Sequence, residues 1–251
     1  MHPARDRAPA RVYCPGELAP GRTVSLPPPQ AHHVARVLRR RAGDALTLFS
    51  GDGAEYAAVI ESAAGRGVSV TVGERRLLDR ESRLRIVLGQ AISAGERMDY
   101  TIQKAVELGV AVICPIATAR CVVRLDAARA AKRLEHWRSV AIAACEQCGR
   151  NRLPGIAAVE SLPEWLAGGT VRGAALSVLL APQAAAGLRE LPAPEGIVVL
   201  LAGPEGGFTA GEQALARARG FVPVRLGPRV LRTETAAVAA LAAMQALWGD
   251  F

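Results

Sequence analysis

Two rhythms of apolar and polar positions divide the chain. Up to about residue 76 the pattern has a period of two: Val68-Ser-Val-Thr-Val72 alternates strictly, and Tyr56 to Ile60 is strand-like. Gly51-Asp52-Gly53 is a strong turn signal between that strand and Leu46 to Phe49. One short helix, from about Gln30 to Arg39, interrupts this β-rich unit. The charged, turn-like stretch Leu77 to Arg83 follows, and beyond it the rhythm changes. A domain boundary is expected there, giving residues 1–76 and 77–251.

In the second part short apolar runs alternate with helical periods. A strand is expected at Leu84 to Leu88, a loop containing Gly95, a helix from Arg97 to Leu108 closed by Gly109, and a strand at Val110 to Ile116. A long helix follows from about Asp126 to Cys148, closed by Gly149. Further strands are expected at Ile156 to Val159, Leu176 to Leu180, Ile197 to Leu201 and Val222 to Leu226, with a last helix from Thr235 to Leu247. Such alternation specifies an α/β domain with a mostly parallel sheet covered on both faces.

Two glycine-containing segments, Gly203-Pro204-Glu205-Gly206-Gly207 and Leu226 to Ala236, each follow an apolar run and precede a helix. Open α/β sheets bind ligands at the ends of their parallel strands, so both loops should line one pocket. Thr209 and Glu212 have the spacing of a capping box, which anchors the first loop. The last helix is rich in alanine on more than one face and is expected to be buried or to form a subunit interface.

Composition narrows the class. Half of the 251 residues are hydrophobic, so the chain is globular, and no apolar stretch approaches the roughly 20 residues of a membrane span. Met1 to Ala10 carries charges and no apolar core, which predicts a cytoplasmic protein without a membrane anchor. The net charge of +8 suggests an anionic partner, nucleic acid ahead of membrane, although an Ala- and Arg-rich chain can equally reflect genomic base composition. His32, His33, Arg36, Arg39, Arg40 and Arg41 form the densest basic cluster. Five irregularly spaced cysteines are expected to be reduced, and Cys145 and Cys148 share a helix face without the second ligand pair that zinc needs, so no metal is expected.

The sequence has no G-x-G-x-x-G at an early strand end, no G-x-x-x-x-G-K-[ST], no H-E-x-x-H and no G-x-S-x-G. What remains is a pocket built mainly from main chain, suited to a small cofactor held through its base edge and apolar body.

Arg36-Val-Leu-Arg39, Gln103-Lys104-x-x-Glu107-Leu-Gly109, Ala144-Cys-Glu-Gln-Cys-Gly-Arg150, Gly203-Pro-Glu-Gly-Gly207 and Leu226-Gly-Pro-Arg-Val-Leu-Arg-Thr-Glu-Thr-Ala236 occur in that order. By these strings the chain resembles, over nearly its whole length, the RsmE family of bacterial 16S rRNA uridine-N3 methyltransferases in the SPOUT superfamily. The loop from Leu180 to Pro194 follows no pattern of that family and is expected to lie away from these strings.

The resemblance implies a PUA-like RNA-binding β-barrel over 1–76 and a trefoil-knotted α/β methyltransferase domain over 77–251. It implies S-adenosylmethionine bound among Leu201, Ala202, Gly203, Pro204, Glu205, Gly206, Gly207, Leu226, Gly227, Pro228, Leu231, Arg232, Thr233, Thr235 and Ala236. It also implies a homodimer and 16S rRNA, within the small ribosomal subunit, as partner. Uridine N3 carries a proton and is a poor nucleophile until the proton leaves, so a base or a cation stabilising the imide anion is needed. Arg232 is expected to be that cation and Glu234 the base, with Glu205 and Glu146 as competitors and a helix-capping role open for Thr233 and Glu234. Arg11, Arg36, Arg39, Arg40, Gln147 and Arg150 are the expected RNA contacts, a surface helix end being the alternative for the last two. Lys104 and Glu107 read as a structural pair. The competing functions are another SPOUT activity, on ribose 2′-O or tRNA, and a non-catalytic rRNA-binding assembly factor.

Overall fold

The computed structural model of the chain describes residues 9–64, 67–121 and 126–251. Most of the N-terminal stretch without an apolar core, residues 1–8, lies outside them. The chain forms two compact units, the first comprising the described residues up to Glu81 together with Cys145–Leu153, the second Ser82–Ala144 and Pro154–Phe251.

In the first unit β1 (Ala10–Tyr13), β2 (Thr23–Ser25), β3 (Ala45–Phe49), β4 (Ala54–Ala64) and β5 (Gly67–Leu77) make one sheet in the order β1-β3-β4-β5-β2. The two-residue rhythm sets its register. Ala58 and Ile60 of β4 and Val68, Val70 and Val72 of β5 are buried, Ile60 lies opposite Val70, and Val59 between them is exposed. A slip by one residue would exchange these faces. The edge strands β1 and β2 are only four and three residues long, too short for alternation to announce them.

The helix of this unit starts earlier and stops sooner than the pattern predicts. Pro28 and Pro29 open α1 (Pro28–His32), where a missing N–H costs nothing. It continues as a π-turn over His33–Val37, with the Leu38 N–H donating to the His33 carbonyl at 2.9 Å. Arg39 stands beyond the helix at φ 53°, a left-handed conformation that ends it.

The segment Cys145–Leu153 is fastened to the strands by buried polar groups. Asn151 accepts from Arg11 Nη2 at 2.6 Å through Oδ1, donates from Nδ2 to the Leu78 carbonyl at 3.1 Å, and its carbonyl accepts the Gly53 N–H at 3.3 Å. Arg150 Nε donates to Glu81 Oε1 at 3.1 Å. Burial pushes the Cys145 thiol up to about 12, so the C-x-x-C cysteine nearer the core is an inert packing group.

The second unit contains β6 (Ile86–Ala91), α2 (Glu96–Glu107), β7 (Val112–Ala117), α3 (Ala127–Cys148, whose last residues belong to the first unit), β8 (Gly155–Ile156), β9 (Glu160–Ser161), α4 (Leu162–Leu166) and α5 (Gly169–Arg172). After these come β10 (Leu176–Leu180), β11 (Val198–Ala202), α6 (Ala210–Ala218), β12 (Val222–Val224) and α7 (Thr233–Trp248). The strands form a parallel sheet in the order β12-β10-β11-β6-β7-β8, with β9 also pairing β7. β6 and β11, adjacent at its centre, are buried at every residue, as a strand covered on both faces requires. The strand predicted at Ile156 to Val159 is instead two short pairings, β8 and β9, with a break between them.

The alanine-rich α7 packs on α2. Its buried Gln245 accepts from Ser82 Oγ at 2.8 Å and donates to the Leu108 carbonyl at 2.8 Å, satisfying a helix-end acceptor. Among the described residues no helix is long and apolar enough to cross a membrane.

Replacing Asn151 with leucine removes one acceptor from Arg11 and the side-chain donor to the Leu78 carbonyl at once. The variant should lose about 2–4 kcal/mol of stability in urea unfolding followed by circular dichroism. A loss under about 0.5 kcal/mol would mean that this segment is not held by its polar contacts.

Candidate active site

A cavity of about 770 Å³ opens at the carboxyl ends of β10, β11 and β12. Three loops build it: Ala181–Gln183 after β10, Gly203–Gly207 after β11, and the segment from Leu226 to Thr233 after β12. The chain crosses from β9 on one side of the sheet to β10 on the other, which makes the region beside β11 a topological switch point.

The glycine loop is held from several sides. The capping box forms as its spacing predicts: the Glu212 N–H donates to Thr209 Oγ1 at 3.2 Å and the Thr209 N–H to Glu212 Oε2 at 2.8 Å. Glu212 Oε1 accepts the Ala119 N–H at 2.8 Å, and the neighbouring Arg120 donates to the Gly206 carbonyl at 3.0 Å. Arg97 donates to Glu205 Oε1 at 2.8 Å, and the Ala94 N–H to the same oxygen at 3.1 Å. The buried Thr233 hydroxyl donates to the Gly203 carbonyl at 2.6 Å.

Four guanidinium groups, Arg97, Arg120, Arg229 and Arg232, line the cavity with two carboxylates, Glu205 and Glu234. Burial works to raise the Glu205 pKa. Hydrogen bonds from its own N–H, from Ala94 and from Arg97 outweigh that and hold the carboxyl below its ordinary value. Glu205 therefore keeps its charge as pH falls until its lowered pKa is reached, and is a poor proton acceptor at neutral pH. Arg232 is the N-cap residue of α7 and is exposed. Glu234 lies in the first turn of that helix, where the helix dipole favours a negative charge. Its Oε2 is buried and accepts no hydrogen bond from any described group.

The structure brings together Gly203, Pro204, Glu205, Gly206, Gly207, Leu226, Leu231, Arg232, Thr233, Glu234 and Ala236 around the cavity. Leu201 and Ala202 are buried in β11 behind it, and Gly227, Pro228 and Thr235 are exposed and do not line it. Sequence reasoning misplaces one loop: Leu180, Ala181, Pro182 and Gln183 form part of the wall instead of lying away from the site. Alternation of strands and helices predicts that the loop after Leu176 to Leu180 opens at the carboxyl edge of the sheet, but it is the pairing of β10 with β11 that puts this loop in the wall. Arg97 and Arg120 were also missed, each reaching the glycine loop from an element remote in sequence.

Two of the residues expected to contact RNA are engaged inside the first unit. Arg150 is 4 % exposed and ion-paired with Glu81, and Arg11 is salt-bridged to Glu55 at 2.7 Å while lying over the Phe49 ring. Both are internal fasteners of the first unit. Arg36, Arg39 and Gln147 are exposed and Arg40 is half-buried. Glu146 belongs to the first unit, where it accepts the Tyr13 N–H at 2.9 Å, whereas the cavity is lined by the second unit alone. Lys104 pairs with Glu107 at 2.8 Å.

The model of an RNA methyltransferase domain matches residues 80–245, and that of an RNA methyltransferase PUA domain matches residues 26–73. Ribosomal RNA small subunit methyltransferase E of Buchnera aphidicola subsp. Schizaphis graminum is 34% identical, over 96% of this chain and 97% of its own. The chain belongs to the ribosomal RNA small subunit methyltransferase E family. A Legionella pneumophila structure in complex with bound cofactor SAM is 43% identical, covers 98% of this chain and 100% of its own, and superposes with a TM-score of 0.94. A methyltransferase E from Neisseria gonorrhoeae bound to S-adenosyl methionine is 41% identical, covers 97% and 99%, and superposes with a TM-score of 0.88.

The cavity fits the methyltransferase E cofactor, S-adenosylmethionine. Its size lies within the roughly 300–1,000 Å³ of small-molecule sites. Leu180, Leu226 and Leu231 supply apolar surface for a purine and sugar, the glycine loop supplies main chain, and both signs of charge are present for a zwitterionic tail.

The glycine loop is packed against the protein itself. A Cβ on Gly206 would lie 3.1 Å from the Arg120 Cβ and 3.6 Å from its carbonyl, while Gly207 has φ +65°, which side chains resist. Gly206→Val should therefore displace Arg120 and the loop together, weakening S-adenosylmethionine binding at least about tenfold in calorimetric titration of folded protein. Unchanged affinity would remove this loop from the site.

Proposed function

We propose that this protein methylates N3 of a specific uridine in 16S rRNA, within the small ribosomal subunit of the bacterial cytoplasm. The observation that carries the reading is the convergence of the glycine loop and the Arg232–Ala236 segment on one cavity in a chain of the methyltransferase E family. Bound S-adenosylmethionine supplies an electrophilic methyl carbon, whose bond to sulfur breaks with the electron pair staying on sulfur as the bond to N3 forms. Main chain of Gly203–Gly207 and apolar side chains of Leu226 and Leu231 hold and orient the cofactor, so that much of the rate gain is positional. Arg232, exposed at the cavity edge, stabilises the imide charge that develops on the uracil carbonyl oxygens. Glu234 takes the N3 proton through its unpartnered oxygen.

The reading divides labour between residues 1–76, a PUA-like barrel that binds RNA, and 77–251, which transfers the methyl group. Arg36 and Arg39 are exposed and make no ion pair among the described residues, which suits phosphate contact. The second part is a trefoil knot: its strand order and the hydrogen bond from Thr233 back to Gly203 support a last segment threaded against the preceding loops. The protein is a homodimer through the outer faces of α2 and α7, a reading supported by Tyr100 and Leu247, large apolar side chains left 46% and 40% exposed there.

The reaction is tested by incubating purified protein with small subunits and S-adenosylmethionine and identifying the product nucleoside by mass spectrometry; N3-methyluridine is expected, and a ribose-methylated product would overturn the assignment. Neutralising Arg36 and Arg39 should weaken RNA binding and flatten its dependence on salt by about two phosphate contacts, with cofactor affinity unchanged. An unaltered slope would make the cluster a solvated face.

Arg232→Ala should slow methyl transfer about 10²–10³-fold with cofactor affinity nearly unchanged, because its interaction matures in the transition state. Glu234→Gln should be about 10²–10⁴-fold slow at neutral pH and recover as rising pH lets hydroxide take the proton. A folded Glu234→Gln variant with full activity at neutral pH would demote Glu234 to a helix-terminal residue.

A further inference from the structure

Of the four guanidinium groups that line the cavity, two are already spent, Arg97 on Glu205 at 2.8 Å and Arg120 on the Gly206 carbonyl at 3.0 Å. Arg232 has its role in the proposed chemistry, which leaves Arg229. That side chain is exposed, and its guanidinium makes no ion pair or hydrogen bond among the described residues. Gly227, at φ +75°, turns the chain just before it, and a Cβ on that glycine would lie 4.0 Å from Arg229 Nη2, so the guanidinium is folded back beside the turn. The next residue, Val230, also lines the cavity and is 78% exposed, more than any other large hydrophobic side chain among the described residues. An arginine without a carboxylate and an apolar side chain without cover thus follow one another on the lip of the site.

Uridine N3 lies on the base edge used in pairing, so the target nucleotide has to turn out of its stack before a methyl carbon can reach that atom. The movement brings two groups to the mouth of a pocket: the phosphate of the turned-out nucleotide, and the apolar base faces parted by it. We propose that Arg229 binds the phosphate of the target nucleotide and that Val230 packs against those base faces, so that this lip holds the uridine in the cavity. The inference rests on the uridine-N3 reading and adds the contact that delivers the base. Charge decides the occupant. Arg229 and Arg232 stand on either side of Val230, and of the two carboxylates in the same cavity Glu205 is spent on Arg97. A lip with two unspent cations attracts a polyanion and repels a second copy of itself. The cavity, about 770 Å³, lies in the upper half of the roughly 300–1,000 Å³ of small-molecule sites, which leaves space for a base beside a cofactor.

The test is single-turnover methyl transfer to small subunits purified from a strain lacking this methyltransferase, with the protein titrated in excess at several salt concentrations. Arg229→Gln should raise the half-saturating protein concentration about three- to tenfold and flatten its salt dependence by about one phosphate contact. Its rate at saturation and its S-adenosylmethionine affinity in calorimetric titration should match the parent. Arg229→Lys, which keeps the charge, should restore the salt slope. Val230→Ala should instead lower the rate at saturation about three- to tenfold, since less apolar surface holds the parted bases, and should leave the salt slope alone.

An unchanged salt slope in folded Arg229→Gln overturns the proposal, and so does a tenfold loss of S-adenosylmethionine affinity in that variant, which would make Arg229 an anchor for the cofactor tail. Full rate at saturation in Val230→Ala overturns it as well, as does a change in that variant's sedimentation, which would make the lip an interface between copies of the chain. Should one variant not fold, the other decides. The failure of the uridine-N3 reading is separate: it shows in the unaltered protein, as a product other than N3-methyluridine.

Discussion

The Thr233 hydroxyl is the point on which the site depends. It donates to the Gly203 carbonyl at 2.6 Å, accepts from Gln90 Nε2 at 3.3 Å, and lies 3.5 Å from Ser93 Oγ. These groups come from the end of β6, the loop after β11 and the start of α7, segments more than a hundred residues apart at the extremes. Gln90 is fully buried and Thr233 8 % exposed, so the bonds form where water cannot replace them. Leaving one such buried group unpaired costs about 1–3 kcal/mol, which makes the arrangement of the three segments discrete. The glycine loop has few side chains of its own with which to fix a conformation, and this hub, with Arg97 and Arg120, supplies the restraint.

The same restraint sorts the charges of the cavity. Glu205 spends its acceptor capacity on Ala94 and Arg97, which removes it from proton chemistry and makes it part of the scaffold. Glu234 is left with an open oxygen, and Arg232 stands at the cavity edge rather than in an ion pair among the described residues. The two carboxylates have the same side chain and face the same space. They differ in the donors the fold has already assigned to Glu205 and not to the buried oxygen of Glu234.

Strand and helix alternation was legible because strands covered on both faces are mostly apolar: Ile197 to Leu201 is apolar throughout, and Leu176 to Leu180 is broken only by Ser177. The Thr209 capping box was legible because it is local. The start of α7 was placed two residues late because Arg232-Thr-Glu has no apolar periodicity, and Thr233 is helical for the sake of a bond to a distant carbonyl. The role of the loop after β10 was hidden for a related reason. Its place in the wall follows from strand order, and strand order is a three-dimensional fact that no local pattern records.

Arginine shows the limit most sharply. In a chain whose net charge of +8 comes almost entirely from this residue, sequence treats Arg11, Arg36, Arg39 and Arg150 alike. The fold separates them by whether a carboxylate waits nearby. Arg11 meets Glu55 and has further acceptors in the Arg150 carbonyl and Asn151, and the buried Arg150 meets Glu81. A buried guanidinium without such a partner would cost far more than a lost surface contact, so pairing is the condition for burial. Arg36 and Arg39 sit on a π-turn and the left-handed residue after it, where no described carboxylate pairs with them, and they remain in solvent. Net charge therefore overstates the surface available to an anionic partner, and the binding face has to be counted from the arginines the core has not already claimed.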